Sequence, residues 1–134
     1  LVVEDDPDVR ALTSKLLKML GYKVLPAATV GAALEILESA SQIDLVVSDI
    51  VLSGGHSGLE VGHAAMAHPK RPALLFMSGY ADDELEKGDP LMREVAMLNK
   101  PFRIEDLARK VRAALDGTAD APAEQAAISQ AQGE

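Results

Sequence analysis

Four short apolar runs end in residues that could do chemistry together. Leu1-Val2-Val3 runs into Glu4, Asp5 and Asp6, and Leu45-Val46-Val47 leads through Ser48 into Asp49. The run from Ala73 to Met77 is followed by Ser78, and the run from Val95 to Leu98 by Asn99 and Lys100. If the runs are parallel strands, their ends gather three carboxylates, a hydroxyl and an ammonium group on one side of a sheet. Three acids in so small a volume repel one another unless a cation compensates them. Magnesium, or manganese in its place, suits hard oxygen donors: one or two carboxylates, here Asp5 and Asp49, with a backbone carbonyl, water and a phosphate oxygen. Glu4 would hold a water on that ion. An aspartate can attack phosphorus covalently, and a metal bridging its carboxylate and the phosphoryl oxygens offsets their repulsion. Lys100 and Ser78 would hold two further phosphoryl oxygens.

Taken singly, each group has an ordinary explanation. Acids after a strand commonly cap the next helix, the role expected of Asp6, and Ser78-Gly79 reads as a turn. The chemical reading rests on the complementarity of four strand ends. His56, His63 and His68 share no ligand-like spacing with the acids and are read as loop or helix-surface residues. Gly54-Gly55 lacks the pattern of a phosphate-binding loop and is read as a flexible turn.

The elements that must position these groups alternate along the chain. Asp6-Pro7 opens a helix over residues 7–20, with an apolar stripe at Val9, Leu12, Leu16, Leu17 and Leu20 before Gly21. Tyr22 to Pro26 is a second strand, and Thr29 caps a helix carrying Ala33, Leu34, Ile36 and Leu37. After the third strand, Ser53 to Gly58 is a loop by composition, and Leu59 to His68 a helix stopped at Pro69. A weaker helix is expected from Asp82 to about Met92, interrupted by Gly88 and Pro90. A final helix places Ile104, Leu107, Ala108, Val111 and Leu115 on its buried face. Apolar strands without alternation, separated by helices, predict an α/β doubly wound parallel sheet of five strands, flavodoxin-like, with helices on both faces. Sites in such sheets lie outside the carboxyl ends of the strands.

Composition narrows the function. A chain of 134 residues with 48% hydrophobic side chains suits one core. A net charge of -8 argues against direct nucleic-acid binding or attachment to anionic lipid. The absence of cysteine excludes disulfides and thiolate chemistry. With no apolar run long enough to span a bilayer and no signal-peptide pattern, a cytoplasmic location is expected. The start at Leu1, without methionine, is read as that of a fragment of a longer protein. Residues 117–134, rich in Ala, Gln, Gly and Glu, are expected to be a flexible or weakly helical tail or linker beyond a domain at 1–116.

The motifs Leu1-Val2-Val3-Glu4-Asp5-Asp6, Leu45-Val46-Val47-Ser48-Asp49-Ile50, Met77-Ser78-Gly79-Tyr80 and Asn99-Lys100-Pro101-Phe102 closely resemble the receiver domains of response regulators and hybrid histidine kinases. The resemblance runs from Leu1 to about Leu115 and implies the strand order 2-1-3-4-5. It makes Asp49 the phosphorylated aspartate, Glu4 and Asp5 the acidic pair around magnesium, and the Val51 carbonyl a further ligand. Ser78 becomes the switch hydroxyl and Lys100 the phosphoryl-binding lysine, with a cis Lys100-Pro101 peptide. Implied partners are a histidine kinase or histidine phosphotransfer protein upstream and a protein target downstream, with a phosphorylation-dependent dimer among the possible states.

Two departures stand out. Met97 occupies a position where relatives often carry Tyr or Phe, and the proline usual after the phosphorylated strand is missing near Ser53. Tyr80 is expected to assume part of the aromatic switching role. Val51 and Tyr80, with no carboxylate or amide to orient water, imply slow self-dephosphorylation. The rival readings are a haloacid dehalogenase-like enzyme, which lacks its second acid because Val51 stands there, and an interaction module on the same fold that is never phosphorylated. A flavin or nucleotide carrier is disfavoured by acidic strand ends, which repel phosphates without a metal, and by only 3% aromatic residues.

Overall fold

The structure, a computed structural model, describes residues 1–39, 42–79 and 89–117. Five parallel strands form one sheet in the order β2-β1-β3-β4-β5. They are β1 (Val2–Val3), β2 (Pro26–Ala27), β3 (Leu45–Asp49), β4 (Ala73–Ser78) and β5 (Ala96–Asn99). Between them run α1 (Pro7–Met19), α2 (Val30–Ser39), α3 (Gly58–Ala67), the single turn α4 (Leu91–Glu94) and α5 (Ile104–Leu115).

Neighbouring residues of one strand serve opposite cores, because successive side chains point to opposite faces. Val46 of β3 joins Val3 and Leu74 in a cluster with Val30, Ala33 and Leu37 of α2 and Val61 and Ala65 of α3. Val47, one residue on, joins Val2, Leu75, Met77 and Leu98 against Leu17 of α1 and Leu107 and Val111 of α5. Ile50, Leu59, Phe76 and Leu91 form a third cluster, with Met97 packed against it. Both faces are covered, which is why the strands read as apolar runs.

Helix starts follow local chemistry. Asp6 Oδ1 accepts from the backbone amides of Asp8 (2.9 Å) and Val9 (3.2 Å), with Pro7 at the first helical position. Thr29 Oγ1 accepts from the Ala32 amide at 3.0 Å. Ser57 and Glu60 form a reciprocal capping box at α3. That box starts α3 at Gly58, one residue earlier than the apolar pattern indicated.

Several expectations need correction. The second strand is not Tyr22 to Pro26: its ladder is Pro26–Ala27, paired with Val2 and Val3, at the sheet edge where a proline without an N–H is tolerated. Helix α1 stops at Met19, and its buried face is Thr13, Ser14 and Leu17, while Leu12 is 55% exposed. The stripe misplaced Leu12 because two small polar residues, Thr13 and Ser14, occupy buried positions on the inward face of the helix. On α5, Leu107 and Val111 are buried, whereas Ile104, Ala108 and Leu115 are half-buried. β5 is shifted one residue, to Ala96–Asn99. Of the expected helix from Asp82 to Met92, residues 82–88 lie outside the described residues, and Leu91–Glu94 is helical. Within the loop, Ser53–Gly55 make a 3₁₀ turn in which Gly54 and Gly55 have φ of 75° and 76°, a conformation glycine adopts without strain. The expected tail lies outside the described residues apart from Gly117.

Candidate functional site

Each strand that the apolar runs predicted delivers its polar end to one edge of the sheet. β1 presents Glu4 and Asp5, β3 ends on Asp49, β4 ends on Ser78, and Lys100 follows β5. Parallel pairing sets the depth: Val3 lies opposite Ser48, Asp49 opposite Met77, and Ser78 opposite Asn99. Lys100 then reaches across two strands. Its Nζ donates to Asp49 Oδ2 at 2.8 Å and to Glu4 Oε2 at 3.1 Å. The Lys100 amide also donates to the Ser78 carbonyl at 2.8 Å, and the Lys100-Pro101 peptide is cis, as the resemblance implied.

The acids crowd as expected. Glu4, Asp5 and Asp49 each offer a carboxylate oxygen, all within 4.8 Å of one another. Glu4 and Asp49 are only 1% and 5% exposed, and Asp5 is half-buried. One ammonium cannot offset three carboxylates. Burial, and after it the charge of Asp49, pushes the Glu4 carboxyl up to about 7, against the opposing pull of Lys100. Burial works against the Lys100 charge, but its hydrogen bonds and attraction to Asp49 and Glu4 outweigh it and hold its pKa above the usual value. Among the described residues, Asp49 Oδ1 is buried without a hydrogen-bond partner, and an orphaned carboxylate oxygen in an acidic cluster is a donor suited to a cation. The donor set, all hard oxygens, fits magnesium or manganese.

Other expected residues lie around this centre. Ser78 is buried, and its hydroxyl donates to the Gly79 carbonyl at 3.1 Å. Met97 pairs with Phe76 across the β4–β5 ladder and packs against the third core cluster, half-buried. Tyr80 lies outside the described residues. Val51 is 36% exposed, and its backbone pairs with Ser57 in an antiparallel bridge that folds the loop over the end of β3. The histidines stay apart from the acidic centre: His56 meets Glu60 at 3.2 Å and His63 meets Asp89 at 3.0 Å, both exposed. His68 does more than expected. Its Nε2 donates to the Leu37 carbonyl (3.1 Å) and its Nδ1 accepts from the Lys70 amide (3.1 Å), joining the ends of α2 and α3.

Sequence reasoning missed some supports of the site. Arg10 Nη1 donates to the Glu4 carbonyl at 2.9 Å, so helix α1 pins the backbone that carries the acids. No local pattern announced that contact. The Ser57-Gly58-Leu59-Glu60 box did carry a readable signal, a serine three residues before a glutamate. Gly58 was passed over as a loop glycine, yet a Cβ there would overlap the Asp49 carbonyl oxygen.

Comparison with known proteins agrees with this geometry. Residues 1–112 match the model of the response regulator receiver domain family. The chain is 34% identical over 117 residues to the sensor kinase CckA of Brucella abortus, covering 87% of this chain and 12% of that protein. It is 29% identical over 111 residues to the response regulator receiver protein CpdR of the same organism, covering 83% and 91% respectively. Among solved structures, the receiver domain of the hybrid histidine kinase CckA aligns with a TM-score of 0.66 at 31% identity, over 85% of this chain and 95% of that one. A response regulator receiver protein from Sinorhizobium medicae aligns at 0.74 with 26% identity, over 86% and 91%. Matched over most of its length and folded in the same order of strands, this chain belongs to the family of response regulator receiver domains.

Proposed function

We propose that Asp49 accepts a phosphoryl group from a phosphohistidine, with magnesium or manganese held by Glu4, Asp5, Asp49 and the Val51 carbonyl. The observation that carries this reading is the state of the Asp49 carboxylate. One oxygen is bonded to Lys100 and the other is buried with no hydrogen-bond partner among the described residues, beside two further acids. When bound, the metal neutralises the carboxylates and draws charge from the phosphoryl oxygens during transfer. A carboxylate oxygen of Asp49 attacks phosphorus, the P–N bond to the donor imidazole breaks, and its electron pair leaves with the imidazole. Lys100 then holds a phosphoryl oxygen in place of part of its contact with Asp49, and the Ser78 hydroxyl turns from the Gly79 carbonyl toward another. Moving Ser78 and Lys100 together biases the domain between two surface states with different affinities for a target. Met97 would relay that shift, together with Tyr80, which follows Ser78 by two residues in the sequence.

In this reading the domain occupies residues 1–116, with the remainder as a linker or tail, and acts as a switch in a two-component phosphorelay in the cytoplasm. A histidine kinase or histidine phosphotransfer protein supplies the phosphoryl group, and a protein target or a second copy of the domain reads the result.

The test is intact mass after incubation with magnesium and acetyl phosphate or phosphoramidate. One phosphoryl group should be gained, dependent on magnesium and absent in Asp49→Asn. No gain from small donors or from a phosphohistidine donor would overturn the proposal in favour of a binding-only module.

A further inference from the structure

We propose that Ser48 is a positioning residue for phosphoryl acceptance, acting through the main chain of Asp49 in a space that Gly58 leaves open. This rests on the reading of Asp49 as the phosphoacceptor. The ladder between β1 and β3 ends at the pair Val3–Ser48, one residue short of Asp49. Just past that point, the Ser48 hydroxyl donates to the Asp49 carbonyl at 2.9 Å. Ser48 is 0% exposed, so no water competes for either partner.

The same carbonyl is also bounded by α3, on the side from which the Ser48 hydroxyl approaches. A Cβ on Gly58 would overlap the Asp49 carbonyl oxygen and lie 2.9 Å from Ser48 Oγ. The Gly58 amide in turn donates to the Ile50 carbonyl at 2.6 Å, and the Ile50 amide to the Met77 carbonyl at 3.0 Å. The peptide between Asp49 and Ile50 is therefore held by β4 at its N–H and by the Ser48 hydroxyl at its carbonyl, while the first turn of α3 anchors the carbonyl of the next peptide, that of Ile50. The tilt of that peptide sets where the Asp49 carboxylate projects. An in-line attack tolerates little misplacement of the nucleophile. A hydroxyl at the position before Asp49 makes this bond, and an aliphatic side chain there cannot.

The experiment compares the unaltered chain with Ser48→Ala, Ser48→Thr and Ser48→Val, measuring phosphorylation by acetyl phosphate at saturating magnesium. Thr and Val have nearly the same volume, so their ratio reads the hydroxyl even if added bulk slows both. Loss of one hydrogen bond predicts a saturating rate roughly fivefold lower in Ala, and in Val relative to Thr, with unchanged half-saturation for acetyl phosphate and unchanged magnesium affinity by calorimetry. A readout independent of turnover is the ¹⁵N shift of the Ile50 amide, which shares a peptide plane with the Asp49 carbonyl. It should move in Ala and Val and return toward the unaltered value in Thr. Saturating rates within twofold of the unaltered chain, or Thr and Val behaving alike, overturn the positioning role while leaving Asp49 as acceptor. Absence of phosphoryl uptake by the unaltered chain overturns both.

Discussion

Among the described residues, opposite-charge contacts at the sheet's carboxyl edge and on the helix surfaces differ in what surrounds them. At the carboxyl edge of the sheet, Lys100 bonds Asp49 and Glu4 in a setting where both acids are almost wholly covered. On the helix surfaces, Arg112 meets Asp116 at 3.1 Å and His56 meets Glu60 at 3.2 Å, each side chain about half or more exposed. Distances are similar, but energies are not. An exposed pair exchanges water contacts for a screened attraction and contributes little, whereas a buried pair that loses one partner leaves a charge with no solvent to accept it. Among the described residues the cluster is also unbalanced, two buried acids and the half-buried Asp5 to one lysine, a poor arrangement for stability and a good one for holding a cation.

The contrast is sharpest in phosphorylation. Removing the Lys100 ammonium with Lys100→Met should lower the saturating rate of phosphoryl acceptance by roughly 10²- to 10³-fold, the scale of losing one aimed charge-stabilising donor. Removing a surface cation with Arg112→Met should leave that rate unaltered. Time courses of intact mass at saturating magnesium check both. Equal rates in the two variants would dissolve the distinction between the clusters.

Stability against pH separates them next. Glu4 titrates near 7 in the folded protein and near its ordinary value of 4.5 when unfolded. Between those values the folded state keeps a proton that the unfolded state releases, so raising the pH favours unfolding. Metal-free protein should therefore lose stability from pH 4.5 to 7, by about 3 kcal/mol at most on account of this group. Lys100, its pKa raised, stays protonated throughout and adds no slope. Glu4→Gln should flatten this part of the profile in denaturant titrations, and saturating magnesium should shrink the difference between the two proteins. A slope identical in both would mean that Glu4 is not the buried acid responsible.

What could be read from the sequence follows the same division. Glu4, Asp49, Ser78 and Lys100 were legible because parallel strands all point their carboxyl ends one way, so a residue's place after an apolar run fixes its place in space. Contacts made by helices against that edge were not. Arg10 reaches the Glu4 carbonyl only once α1 has packed, and the burial of Thr13 and Ser14 in preference to Leu12 depends on which face α1 turns inward. β2 was misplaced because hydrophobicity marks apolar residues, whereas its ladder is set by register with Val2 and Val3. Gly62 was equally silent. A Cβ there would lie 2.8 Å from the Phe76 ring and 3.1 Å from Leu91, so α3 can seat on β4 and α4 only because the side chain is missing. Gly62→Ala should destabilise the fold by about 1–3 kcal/mol through overpacking, partly offset by better helix propensity, and chemical denaturation measures it. It tests apolar fit in the core where the charge clusters play no part.

The smallest effect belongs to the exposed pair itself. Arg112 and Asp116 are four residues apart at the end of α5, with Arg112 Nε donating to Asp116 Oδ1 at 3.2 Å. The acid stands at the C-cap, where the helix dipole disfavours negative charge, so part of the pair's attraction only offsets that penalty. Breaking the pair with Arg112→Ala should change stability by no more than ~0.5 kcal/mol, and 1 M salt should erase the difference because the screening length there is about 3 Å. The pH-dependent gap between the unaltered chain and Glu4→Gln, by contrast, should largely survive the same salt, because the charges that create it are shielded from ions by the fold. Salt titrations of both variants decide the point, and equal sensitivity would show that solvent reaches the acidic edge of the sheet as freely as it reaches the end of α5.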